Sequence, residues 1–125
     1  MMVLDASALL AFMFQEPGHE LVAQHVADSC LSTVNLSEVI GRFVRDGHEA
    51  QAVLNKLLST PIEVVPFSAQ QAGLAALLLP LGQPLGLSLA DRACLALAMS
   101  RQLPVLTADT VWQSLDLSIE IQLIR

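Results

Sequence analysis

The sequence predicts an α/β fold, a three-layer αβα sandwich around a central, mostly parallel sheet. Three observations carry this. Strand-like runs alternate with helix-like segments along the chain, the order that a parallel sheet with helical crossovers requires. The strand-like runs are almost wholly apolar, as strands are when both faces of their sheet are covered. The length of 125 residues, 54% of them hydrophobic, is one domain's worth of chain with ample apolar surface for a core. A single domain over residues 1–125 is therefore expected.

Each element has its own signal. Residues 2–4 are a short apolar strand. Residues 6–14 are apolar and helix-compatible, ending near a Glu16-Pro17-Gly18 turn. Residues 18–28 carry Leu21, Val22, His25 and Val26 at helical spacing. Residues 30–34 read as a strand, and Asn35 is placed to cap a helix that runs to an Asp46-Gly47 turn. Residues 48–59 set Val53, Leu54, Leu57 and Leu58 on one helical face, which Thr60-Pro61 ends. Residues 62–65 are a β-branched strand, and residues 68–79 are an apolar helix stopped by Pro80. Residues 80–86 are expected as a loop. Residues 88–102 form a helix with Leu89, Ala93, Ala96 and Leu97 inward. Residues 104–107 are a strand, 109–115 a short helix, and 119–123 an alternating edge strand.

Composition excludes several classes. The mean hydropathy of +0.58 raises the question of a membrane span, because residues 64–90 hold no charge. Pro66, Pro80, Pro84, Gln70, Gln71 and Gln83 interrupt that stretch. Its best unbroken apolar piece, residues 72–79, is far short of the ~20 residues a span needs. It reads as a buried helix which, with Phe12, Met13 and Phe14, leaves apolar surface for a partner. The start has no basic region, and Asp5 sits where a signal peptide is apolar, so a cytoplasmic protein is expected. Cys30 and Cys94 lack CxxC spacing and read as buried free thiols. Six Lys and Arg residues face twelve acids, a net charge of −6. That argues against a basic-stripe nucleic-acid module, though not against an enzyme that reaches nucleic acid through metal ions.

The informative signal is where four acids fall. Asp5 follows the first strand, and Asp109 follows the strand at 104–107. Glu38 sits in the first turn of the helix after the second strand, and Asp91 in the first turn of the helix beginning at Ser88. Singly, each suits a helix cap or a capping box. Together they converge, because the carboxyl ends of parallel strands share one edge, where ligands bind. Two carboxylates at ~5 Å and an effective dielectric near 20 repel by about 3 kcal/mol, whereas a cap returns only about 1 kcal/mol. A divalent cation such as Mg²⁺ or Mn²⁺ resolves that imbalance, since hard cations take carboxylate oxygens. Two such ions about 4 Å apart activate water and stabilise a leaving oxygen in phosphodiester cleavage. Asp5 and Asp91 are the first ligands expected, with Glu38 and Asp109 holding a second ion or orienting water. The Ser7 and Thr107 hydroxyls, each two residues from an acid, are expected to hydrogen-bond to the ligating carboxylates.

These segments resemble the PIN-domain ribonucleases, and among them the VapC-type toxins of toxin–antitoxin pairs. The matching pieces are Val3-Leu4-Asp5-Ala6-Ser7-Ala8-Leu9-Leu10 and Thr33-Val34-Asn35-Leu36-Ser37-Glu38-Val39. They continue with Gly86-Leu87-Ser88-Leu89-Ala90-Asp91-Arg92-Ala93-Cys94-Leu95-Ala96-Leu97-Ala98 and Pro104-Val105-Leu106-Thr107-Ala108-Asp109, and Trp112 also fits. The resemblance implies a metal-dependent endoribonuclease with Asp5, Glu38, Asp91 and Asp109 as its active site. It also implies a cognate antitoxin, a homodimer and a structured RNA substrate such as tRNA. Candidate phosphate contacts are Arg42, Arg45 and Arg92. Against these stand an intrahelical Glu38–Arg42 ion pair and a solvent-facing Arg92.

His19, His25 and His48 lack HxxxH spacing and read as surface residues, and Trp112 reads as packing. A receiver domain would need paired acids after the first strand and a lysine after the last core strand. Here Asp5 precedes Ala6, and the only lysine, Lys56, lies mid-chain. A haloacid-dehalogenase-type phosphatase would need DxD, but position 7 is Ser. The competing function is a non-catalytic interaction module whose acids only cap helices.

Overall fold

In the computed structural model, which describes residues 1–125, the strand-like runs assemble into one five-stranded sheet. β1 is Met2–Leu4, β2 Ser29–Ser32, β3 Glu63–Val65, β4 Val105–Thr107 and β5 Ile121–Leu123. Their order is β3-β2-β1-β4-β5, and every neighbouring pair is parallel. The chain builds outward from β1 to β3, then returns to the centre to lay β4 and β5 on the other side. That reversal makes the gap beyond β1 and β4 the topological switch point, where open α/β sheets bind ligands.

The pleat sends alternate residues to opposite faces, and two cores result. Met2, Leu4, Leu31 and Leu106 join one core. Val3, Cys30 and Val105 join the other. The first is covered by α1 (Ala6–Met13), α2 (His19–His25), α3 (Thr33–Arg45) and α4 (Ala50–Leu58), through Leu9, Val22, Val39 and Leu57. The second is covered mainly by α7 (Leu89–Arg101), through Cys94, Leu95, Leu97 and Ala98. α5 (Ala69–Leu77) packs on α7, and α6 (Leu79–Gly82) follows it in the chain. These are the three predicted layers. Trp112 is fully buried in the second core, and both cysteines are buried and free, as their apolar surroundings imply. No helix is long and apolar enough to cross a membrane.

Six local readings change. Leu89, expected inward, is exposed at the start of α7, and residues 72–79, expected as a buried helix, leave Leu77 and Leu79 exposed. Helix α3 begins at Thr33, because the Ser32 hydroxyl accepts from Val34 N at 3.2 Å and takes the cap position. The second strand therefore ends at Ser32, and Asn35 lies within the first helical turn. Residues 80–86 are not a loop but α6 followed by a 3₁₀ turn, Gln83–Leu85. Pro80 and Pro84 fall in the first turn of each, where a missing N–H costs nothing. Residues 18–28 split into α2 and a 3₁₀ turn, Val26–Asp28. The short helix near the end is also 3₁₀, Thr110–Ser114.

Gly18, just before α2, fixes the chain's return. Its φ is +94°, and a Cβ there would stand 2.4 Å from the Ile124 carbonyl oxygen. Only glycine supplies that conformation without a side chain against β5's exit.

Candidate active site

Asp5 leaves β1 at the switch point and caps α1, its Oδ1 accepting from Ala8 N at 2.9 Å. Unlike an ordinary cap, it is buried, with 4% of its surface exposed. The Ser7 hydroxyl donates to its two oxygens, at 2.7 and 2.9 Å. The Thr107 hydroxyl donates to Oδ2 at 2.6 Å. Burial nevertheless dominates, and the carboxyl is pushed up to about 6 from an ordinary 3.8. The hydrogen bonds offset part of that rise, and the charge of Asp91 adds to it.

The hydroxyls expected beside the acids are present, and they splice two strand ends together. Thr107 ends β4, and its Oγ1 accepts from Asp109 N at 3.0 Å while donating to Asp5. Ser7 Oγ accepts from Ala108 N at 2.9 Å. The exits of β1 and β4 are thus held in register by two side chains. Asp109 spends its own carboxylate on a cap, Oδ1 accepting from Val111 N at 3.0 Å.

Glu38 sits in the second turn of α3, not the first, because that helix starts at Thr33. Its carboxyl is raised by desolvation and by Asp91, against a lowering hydrogen bond from Asn35. Asp91 forms the predicted capping box. Ser88 N donates to its Oδ2 at 2.9 Å, and Asp91 N donates to Ser88 Oγ at 3.1 Å. Beneath them the buried Cys94 thiol is pushed well up, chiefly by burial and further by Asp5, Asp91 and Glu38.

The structure therefore sets Asp5 and Glu38 each within electrostatic reach of Asp91 and ties Asp109 to Asp5 through Thr107. It does not draw any three acidic, histidine or cysteine side chains into a ready ligand set. Asp5, Asp91 and Asp109 each accept from an N–H at the start of their own helix. No arginine or lysine contributes to the shifts of Asp5 or Glu38. Asp91 adds negative charge to the surroundings of both Asp5 and Glu38.

Sequence reasoning missed Asn35 as a site residue. It is 1% exposed, and its Nδ2 donates to Glu38 Oε1 at 2.9 Å and to Ala90 O at 3.1 Å. The available signal was its spacing, four residues before the buried Val39 on one face of α3.

The arginines do not behave as expected. Arg42 is not paired with Glu38. Its Nε lies 3.4 Å from Asp46 Oδ2, and its guanidinium lies 5.0 Å from the Phe14 ring centroid. Arg92 is not solvent-facing. Its Nη1 donates to Ala75 O at 2.9 Å, satisfying a carbonyl in the last turn of α5. Arg45 is exposed. A separate cavity of about 530 Å³ lies away from the four acids, lined by Phe12, Met13, Phe43, Val53, Leu57 and Ile62 among others. His19 and His48 border it, as surface residues.

The fold and site define a class: a doubly wound parallel α/β domain with acidic residues at its switch point. The sequence matches the PIN domain family over residues 2–117, and the chain belongs to that family. No curated protein matches the sequence. Solved structures share its fold. VapBC2 from Rickettsia felis, bound to a promoter DNA fragment, superposes with a TM-score of 0.76 at 14% identity, over 98% of this chain and 97% of that one. VapBC-5 from Mycobacterium tuberculosis, of the VapBC family of toxin–antitoxin systems, gives 0.66 at 25% identity, over 99% and 97%. VapC20 from the same organism, a sarcin-ricin loop cleaving toxin, gives 0.73 at 16% identity, over 96% and 99%.

Proposed function

We propose that this chain is a divalent-metal-dependent endoribonuclease, the toxin of a toxin–antitoxin pair acting on tRNA or another structured RNA. The observation that carries the reading is the gathering of Asp5, Glu38 and Asp91 at the switch point, with a buried Asp5 pushed up to about 6. A carboxylate buried at that cost suits a bound cation. The donor set fits one: all four groups are carboxylates, the ligands hard cations such as Mg²⁺ and Mn²⁺ prefer.

Asp5 and Asp91 would hold the cation first. Glu38 and Asp109 would take a second ion or orient the attacking water. The chemistry such a cation supplies is polarisation of the scissile phosphate and acidification of water. The chain's own part is positional. Ser7 and Thr107 fix the Asp5 carboxylate, and the Ser88 capping box fixes Asp91. Arg45, seven residues after Glu38 and so on the same side of α3, is the phosphate contact the proposal retains. Arg42 and Arg92 are engaged within the protein.

The partner half rests on surface chemistry. The apolar cavity suits a segment of a cognate antitoxin. Exposed Leu77, Leu79, Leu81 and Leu89 suit a homodimer contact. Cytoplasmic localisation accords with the two free thiols. The alternative, a non-catalytic module, draws on the three acids that do cap helices.

The deciding experiment is cleavage of total cellular RNA by purified protein with Mg²⁺, Mn²⁺ or EDTA, beside Asp5→Ala and Asp91→Ala. Discrete fragments that require metal and vanish in both variants are expected. Cleavage that survives EDTA or both substitutions would overturn the reading.

A further inference from the structure

A buried amide bridges two of the acidic elements. Asn35 lies in the first turn of α3, facing inward, and its one nitrogen donates to the Glu38 carboxylate at 2.9 Å and to Ala90 O at 3.1 Å. Ala90 immediately precedes Asp91 and lies 55 residues away in sequence. Both partners are acceptors, so only the NH₂ of the amide can face them, and its orientation is settled by chemistry. An aspartate there would set an acceptor, and a second charge, against two acceptors. A leucine of similar volume would fill the space and offer no donor.

The other half of the amide argues that this is not simple packing. Asn35 Oδ1 is buried and has no hydrogen-bond partner. An orphaned buried acceptor is unfavourable, and an apolar residue of the same shape would avoid it. What the asparagine provides instead is a fixed Glu38 side chain and a fixed approach of α3 to the start of α7.

We propose that Asn35 is a positioning residue that holds Glu38 against the start of α7 beside Asp91, and so sets the geometry of their cation site. This rests on the reading that these acids bind a divalent cation. Removing a group that orients a ligating carboxylate weakens metal binding by ~10–100-fold. The test is Asn35→Leu, measured by calorimetric Mn²⁺ titration and by thermal unfolding in EDTA, beside wild type and Asp91→Asn. The expected result is that Asn35→Leu unfolds in EDTA at or above the wild-type temperature yet binds Mn²⁺ at least ~10-fold more weakly. Wild-type Mn²⁺ affinity in Asn35→Leu, with binding lost in Asp91→Asn, would overturn the positioning role and leave the metal site standing. Equal affinity in all three, or no Mn²⁺ binding to wild type, would overturn the metal reading itself. Should Asn35→Leu not fold, the wild-type chain still decides the matter. Its Asn35 side-chain NH₂ resonances must shift during a Mg²⁺ titration, and unmoved resonances at saturation would refute the role.

Discussion

Replacing Asp5 with asparagine should change stability with a sign that depends on pH. The wild-type carboxyl sits at about 6 in the folded protein against an ordinary 3.8. The folded state thus binds this proton more tightly than the unfolded state does. Stability from this group is greatest below pH 4, is lost as pH rises toward 6, and stays lost above it. At about 1.4 kcal/mol per pH unit, the difference is about 3 kcal/mol. The asparagine would carry no such cost. It keeps an oxygen for Ala8 N but turns an NH₂ toward Thr107, whose hydroxyl then loses its acceptor, a loss of about 1–2 kcal/mol. The variant should therefore be more stable than wild type by about 1–2 kcal/mol at pH 8 and less stable by a similar amount at pH 4. For a chain of this length that is a Tm difference of roughly 3–8 °C in each direction. Thermal unfolding in EDTA across pH 4–8 reads it directly. A Tm difference that is the same at both ends would refute the claim that burial imposes an ionisation cost on Asp5.

Two further substitutions test the scaffold. Gly18→Ala should lower stability by about 2–4 kcal/mol, seen as a lower urea midpoint at unchanged slope, because the new Cβ meets the Ile124 carbonyl at a positive φ. A midpoint within error of wild type would remove that contact from the account. Ser88→Ala should cost about 1 kcal/mol by opening the α7 capping box, whereas Ser88→Gly should cost only a few tenths. Equal losses in calorimetric unfolding would mean that the hydroxyl does not cap.

Much of this architecture was legible because local chemistry and topology agree. Apolar runs between helical periods could only be buried parallel strands, and an acid directly after such a strand could only lie at the sheet's carboxyl edge. Asp5 and Asp109 were therefore placeable without knowing the strand order. The order itself was not readable, since nothing local to β4 says that it returns to pair with β1. Asn35 was misread because a polar residue before an apolar helix looks like a cap, and Ser32, three residues earlier, takes that role. Its partner Ala90 lies on another helix and has no signature in sequence. Arg42 followed the same rule. An acid four residues away lies on each side of it, and the Phe14 ring, stacked on Phe43 at 5.1 Å, favours the Asp46 side. Residues 80–86 looked like a loop because their prolines stand apart, yet each opens a short helical turn, the one helical position that proline suits.

The central claim is that Asp5 and Asp91 hold a divalent cation, with Glu38 and Asp109 beside them, and ligand-linked stability tests it most directly. Unfolding of purified wild type should be followed as Mn²⁺ is raised, beside Asp5→Asn and Asp91→Asn. At a hundredfold excess over its dissociation constant, Mn²⁺ should stabilise wild type by about 2.7 kcal/mol, a Tm gain of roughly 8–10 °C, and neither variant should gain at that concentration. Parallel gains in all three proteins, or none in wild type, would contradict it and leave the acids as helix caps.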